Sequence, residues 1–93
     1  MLTLEKLDRR HSGNTRFTHR VFISGMGAQS NGRRFLELRE WCWNTLGPSC
    51  ELSLCYLNEA TSWAWRIDDQ KSFNQYYIYL TEEARTHFAL KWI

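Results

Sequence analysis

Hydrophobic positions recur along this chain at two spacings, and each spacing predicts a different element. Residues 16–24 alternate: Phe17, His19, Val21 and Ile23 fall on one side, Thr18, Arg20, Phe22 and Ser24 on the other. That period of two is a strand's. Residues 33–46 instead place Phe35, Leu38, Cys42 and Leu46 three or four apart, one apolar stripe along a helix. Ser30 or Asn31 suits its N-cap. Gly47 suits the residue just past its end, and Pro48 forbids continuation. Alternation returns in 50–57 (Leu52, Leu54, Tyr56) and in 63–68 (Trp63, Trp65, Ile67), and 75–80 is rich in Tyr and Ile. These predict three strands separated by polar turns at 58–61 and 68–72. Thr81 then caps a closing helix whose first turn carries Glu82 and Glu83, where the helix dipole favours acids. Ala84, Phe88, Leu90 and Trp92 form its apolar side.

The predicted order is β-α-β-β-β-α: a single α+β domain over 15–93, with a mainly antiparallel sheet and a helix packed on one face. Ahead of it, 1–14 reads as an N-terminal arm. Leu2, Leu4 and Leu7 form the apolar side of either a short helix or an edge strand, before His11-Ser12-Gly13-Asn14 breaks the pattern. Residues 25–32, with Gly25, Gly27 and Gly32, read as a connecting loop.

Size explains the aromatic content. A domain of 93 residues buries only about 60–65% of the surface its unfolded chain exposes. Five Trp, four Tyr and five Phe answer that shortage, since each buried aromatic removes roughly 150–250 Å² from water.

Charge is nearly balanced, twelve basic against ten acidic residues, too even to imply nucleic acid by itself. Its distribution is uneven, with Arg9, Arg10, Arg16, Arg20, Arg33, Arg34 and Arg39 all in the first forty positions. The cysteines, Cys42, Cys50 and Cys55, are odd in number and sit in segments that read as internal, as reduced thiols would. No N-terminal run resembles a signal peptide, and no stretch approaches the ~20 apolar residues of a membrane span. A cytoplasmic protein is expected.

The motifs that carry chemistry fail one by one. Gly27 and Gly32 have the spacing of a phosphate loop, but Arg33 and Arg34 stand where the lysine and hydroxyl residue belong. Gly27, Gly32, Arg33 and Arg34 are left as a candidate anion site at a helix start. No Cys or His pair has zinc spacing, and no Ser or Cys has an evident activating base. No metal, cofactor or catalytic residue is therefore assigned. Trp41 and Trp43 diverge by about 200° on a helix, so they cannot share one core. Trp41 lies nearer the Leu38 side of the stripe, which favours burial of Trp41 and exposure of Trp43. With Arg34 and Arg39 they form the candidate partner-binding residues, because Trp and Arg are enriched in contact surfaces.

A wider pattern joins these residues: Trp41-Cys42-Trp43 ending in Gly47-Pro48, Trp63-Ala64-Trp65 with Asp68, Tyr79-Leu80, and Phe88-Ala89-Leu90-Lys91-Trp92. Over about 33–93 it resembles a group of small phage-encoded proteins of uncharacterised function. That resemblance implies a phage origin and an accessory role in the infected host cell or a minor role in the virion; it brings no cofactor and no active site. The function expected is a protein-binding or accessory module acting by stoichiometric contact with a host or phage protein, or by self-association. Weak nucleic-acid binding through the basic N-terminal half is one alternative, and an enzyme with an unrecognised site is another.

Overall fold

The computed structural model describes residues 2–7, 17–25, 27–52, 54, 61–70 and 73–93. The elements are β1 (Leu2–Lys6), β2 (His19–Ile23), α1 (Ala28–Leu46), β3 (Trp63–Gln70), β4 (Phe73–Leu80) and α2 (Glu82–Trp92). The α+β class and the antiparallel sheet are as expected, while the element order is β-β-α-β-β-α. The two differences are physical. Residues 2–6 take the edge-strand alternative, because Leu2 and Leu4 find Ile23 and Val21 as register partners on β2. Among the described residues of the 50–57 segment the strand pairing is an isolated parallel bridge from Glu51 to Trp65. The chain then turns tightly, with the Leu54 N–H donating to the Glu51 carbonyl at 2.9 Å. Residues 53 and 55–57, most of the turn expected at 58–61 and most of the 1–14 arm lie outside the described residues.

The strands form one sheet in the order β1-β2-β4-β3, antiparallel at each pairing. Its alternation sorts side chains onto two faces. Val21, Ile23, Trp63, Ile78 and Leu80 point to one, where Phe35, Leu38 and Cys42 of α1 and Ala84 and Phe88 of α2 close the main core. Phe17 is a correction. It precedes β2 and packs on the opposite face, in a smaller cluster with Leu52, Ala64 and Tyr79. The C-terminal part of β4, Ile78-Tyr79-Leu80, is thus buried on both sides of the sheet.

Both helices start and stop at identifiable residues. α1 begins at Ala28, a full turn before the predicted start, with Gly27 as its N-cap and no side-chain cap bond. Ser30 and Asn31 are therefore helical and do not cap. At the other end Gly47 adopts φ +97° and ψ 174°, a region essentially reserved for glycine. Thr81 caps α2 as expected, its hydroxyl accepting from the Ala84 N–H at 3.3 Å. Leu90, expected on the apolar side of α2, points to solvent instead.

Candidate functional site

α1 presents its Phe35-Leu38-Cys42 stripe to the sheet, which leaves two flanks about 100° to either side. One flank faces α2. There the Trp41 ring meets Phe88 edge-on at 5.8 Å and Trp92 at 6.1 Å. Arg34 lies 4.7 Å over the Trp92 ring and pairs with Glu37 at 3.0 Å. The other flank overlooks β3, an edge strand. There Arg39 lies 5.1 Å over Trp65 and 5.5 Å over Phe35. Arg34, Arg39, Trp41 and Trp43, read together as one contact site, are split between the two. Arg34 and Trp41 belong to the α2 flank, Arg39 and Trp43 to the β3 flank.

The β3 flank is the more exposed and the more apolar. Trp43 is 50% exposed, whereas Trp41 is half-buried under α2. Leu36, seven residues before Trp43, lies on the same flank by helical geometry and is 53% exposed. A cleft of about 480 Å³ opens below Trp43, lined by Arg39, Cys50, Glu51, Leu54 and Trp65. Leu54 is exposed, and so is Ile67, two residues beyond Trp65 on the same side of β3. Of the six large apolar side chains exposed among the described residues, Trp43 and Leu54 line this cleft, while Leu36 and Ile67 lie outside its lining on the same flank of α1 and the same side of β3. Sequence reasoning misses three of these four. Leu36 carries a legible signal, a seven-residue spacing to Trp43 outside the core stripe. Leu54 and Ile67 read as ordinary strand positions.

Local backbone contacts set this edge. The Trp65 N–H reaches the Cys50 carbonyl at 3.4 Å, and the Ser49 hydroxyl donates to the Trp63 carbonyl. Segment 49–51 thus lies along β3 as far as Trp65. It forms the floor of the cleft under Trp43.

Of the candidate anion residues, Arg33 and Arg34 line one cleft of about 500 Å³ together with Ser30, Glu37 and Trp92, and the two glycines lie outside its lining. Gly27 sits at the N-cap and Gly32 is inside the helix. A Cβ on Gly32 would come 3.1 Å from the Tyr76 hydroxyl, so the glycine serves close approach of helix to sheet. Arg33 is exposed, and Arg34 is held by Glu37 and Trp92.

The face of the sheet opposite the helices carries aromatics and arginines. Phe22 stacks on Tyr77 at 5.1 Å, with the Arg20 guanidinium 4.9 Å over the Tyr77 ring. Its charges are matched internally. Arg20 pairs with Glu5 at 2.6 Å across the β1–β2 register, and Arg66 pairs with Asp68 at 2.6 Å. Burial works against the charge on Arg20, but hydrogen bonds to Tyr79 and Glu5 raise its pKa above the ordinary value. Arg20 lies on this face and Arg33 and Arg34 lie on α1 in the other layer, so these three form no continuous basic stripe. Arg9, Arg10 and Arg16 lie outside the described residues.

Two titratable groups on the helix side of the sheet, Cys42 in the main core and the partly buried His19, have shifted pKa values. Burial pushes the Cys42 thiol up to about 12, which leaves it protonated and unreactive at neutral pH. His19, on the helix side of β2, is held below its ordinary pKa chiefly by burial, against the pull of Glu82 at 3.9 Å. Cys50 is half-buried at the cleft, and Cys55 lies outside the described residues. Among the described residues no three His, Cys, Asp or Glu side chains gather as a metal site requires, and no helix is long and apolar enough to cross a membrane. Comparison with protein families, with curated proteins and with solved structures finds no match to this chain.

Proposed function

We propose that this protein is a protein-binding module that acts by stoichiometric contact, and that its contact surface is the α1 flank above β3. The observation that carries this reading is the exposed pair Trp43 and Leu54 lining one cleft with the Arg39–Trp65 stack, with Leu36 exposed on the same flank of α1. Single exposed apolar residues are ordinary on a small domain, but several on one flank beside charged side chains have the composition of a binding surface. Tryptophan and arginine at its centre are the residue types that dominate contact energies. The resemblance to small phage-encoded proteins makes the partner a host or phage protein or a second copy of the chain.

The internal pairing of Arg20 with Glu5 and of Arg66 with Asp68 weighs against the nucleic-acid reading, since a phosphate backbone would have to displace those carboxylates. Binding to DNA or RNA should then stay near the ~10⁻⁴–10⁻⁶ M of non-specific contact and vanish as salt rises. The test is affinity capture from host cells with the wild type and with Leu36→Ser and Trp43→Ala variants of unchanged melting temperature. A partner recovered in fixed ratio by the wild type and lost by both variants is the expected result. Recovery that ignores both substitutions, or sequence-selective nucleic-acid binding at physiological salt, would overturn the proposal.

A further inference from the structure

The cleft of about 500 Å³ at the start of α1 lies away from the β3 flank and has two kinds of lining. Ser30, Arg33, Arg34 and Glu37 of α1 make it polar on one side, while Leu2, Trp92 and Ile93 make it apolar on the other. Arg33 is exposed and makes no ion pair among the described residues, whereas Arg20, Arg34, Arg66 and Arg85 each hold a carboxylate. Arg34 is fixed by Glu37 at 3.0 Å and by its stack 4.7 Å over the Trp92 ring. Its bond to Glu37 uses Nη1, which leaves other donors of the guanidinium fork free for a ligand. The first turn of α1 contributes potential of the same sign. It holds no acidic residue and no side-chain cap, and its own ladder begins only with the Asn31 N–H. The Trp92 indole N–H, in the wall of the same cleft, is buried with no acceptor among the described residues, an exceptional state for a polar group.

We infer that this cleft binds a small organic carboxylate, its head held by Arg33 and Arg34 and its apolar body against Leu2, Trp92 and Ile93. The site is separate from the contact surface proposed above β3 and does not depend on it. Volume sets the size of the ligand, since about 500 Å³ is far more than a simple ion fills and falls among small-molecule pockets. Charge sets its class. Two guanidiniums against the one Glu37 carboxylate leave the lining side chains a single net positive charge, which matches a monoanion. A phosphate dianion would leave a negative charge beside Glu37 uncompensated. The planar carboxylate also matches the guanidinium fork, which donates two parallel hydrogen bonds to it. The apolar wall sets the rest, because a bare acetate would leave Leu2, Trp92 and Ile93 against water. Trp92 and Glu37 already order Arg34, so less side-chain freedom is lost when the ligand arrives.

Titration of the isotope-labelled full chain with benzoate and with hexanoate at physiological ionic strength, followed by nuclear magnetic resonance, tests this. Both acids should bind with dissociation constants on the order of 1 mM, as suits ligands so small. The signals of Ser30, Arg33, Arg34 and the Trp92 indole should shift together. Neutral benzamide, which lacks the charge, and acetate, which lacks the body, should each bind about tenfold more weakly or worse. Arg33→Gln, at an exposed position without a partner, should keep the melting temperature and weaken benzoate about tenfold. A wild type that responds to neither acid at about 10 mM overturns the site, and so do shifts centred on Trp43 in the other cleft. Benzamide binding as well as benzoate would show apolar adhesion only, and acetate or inorganic phosphate binding as well would show an adventitious ion only. Benzoate binding indifferent to Arg33→Gln overturns the assignment of the head group.

Discussion

The Trp63 indole N–H donates to the Gly47 carbonyl at 2.7 Å, tying the fully buried first residue of β3 to the end of α1. The helix C-terminus leaves carbonyls that its own ladder cannot satisfy, and here a core side chain takes one of them. The Ser62 hydroxyl donates to the Leu46 carbonyl beside it at 3.2 Å.

Trp63→Phe keeps an aromatic ring in place and removes that donor. Leaving a part-buried carbonyl unsatisfied costs about 1–3 kcal/mol, with a further loss from the smaller ring. Trp63→Ala should cost about 3–5 kcal/mol. Denaturant unfolding of both variants separates the two contributions. A Phe variant within about 0.5 kcal/mol of wild type, the scatter of neutral changes, would show that the hydrogen bond contributes nothing.

The glycines divide by cause. At Gly47, φ is +97° and nothing lies within 4 Å of an added Cβ, so Gly47→Ala meets strain without a clash. It should cost about 1–3 kcal/mol. Gly32 has the opposite problem, a helical position facing the Tyr76 hydroxyl. Gly32→Ala gains up to about 1 kcal/mol of helix propensity but must displace that hydroxyl. It should therefore stabilise more in a Tyr76→Phe background than alone. Equal gains in the two backgrounds would mean that the contact yields freely.

His19 gives the fold a pH dependence with a definite sign. Burial holds its folded pKa below the ordinary 6.5, so the unfolded chain binds the proton first as pH falls. Its contribution is fully present above about 6.5 and is lost progressively as pH drops through that value toward the folded pKa. Glu82, nearby, is held below its ordinary range chiefly by the Arg85 hydrogen bond and stays ionised throughout this window. Melting temperatures from pH 8 to pH 5 should fall more steeply for wild type than for His19→Asn, roughly in the range around the unfolded pKa. Parallel curves for the two proteins would rule out the effect.

What could be read from the sequence was local. The Phe35-Leu38-Cys42 stripe specified α1 because three core contacts repeat at helical spacing, and Thr81 marked the start of α2 because its cap needs only the next turn. Misreadings arose where distant partners decide. Leu2, Leu4 and Leu7 fit two periods equally well, and pairing with β2 settles the matter. Three glycines imitated a loop at 25–32, although Gly32 is a helical residue selected by the approach of Tyr76. Leu52 and Leu54 alternated like a strand, yet Leu52 is held by Phe17, Ala64 and Tyr79 across the second face of the sheet. The flank proposed for contact was half legible. Trp43 stood out beside Trp41, but its companions Leu54 and Ile67 join it only through the fold.

Trp41 and Trp43 are two residues apart and should respond in opposite ways. The Trp41 ring is wedged edge-on against Phe88 and Trp92, where it joins α1 to α2. Trp41→Ala should open a void between the helices and cost about 3 kcal/mol, the lower end for a large aromatic because the ring is only half-buried. Trp43 projects over the cleft and is half exposed. Its removal should leave unfolding free energy within about 0.5 kcal/mol of wild type while weakening association. The two readouts must be taken on the same samples, since a destabilised protein also binds less. If Trp43→Ala unfolds the domain as readily as Trp41→Ala, its ring is a packing element and the flank loses the residue on which its role depends.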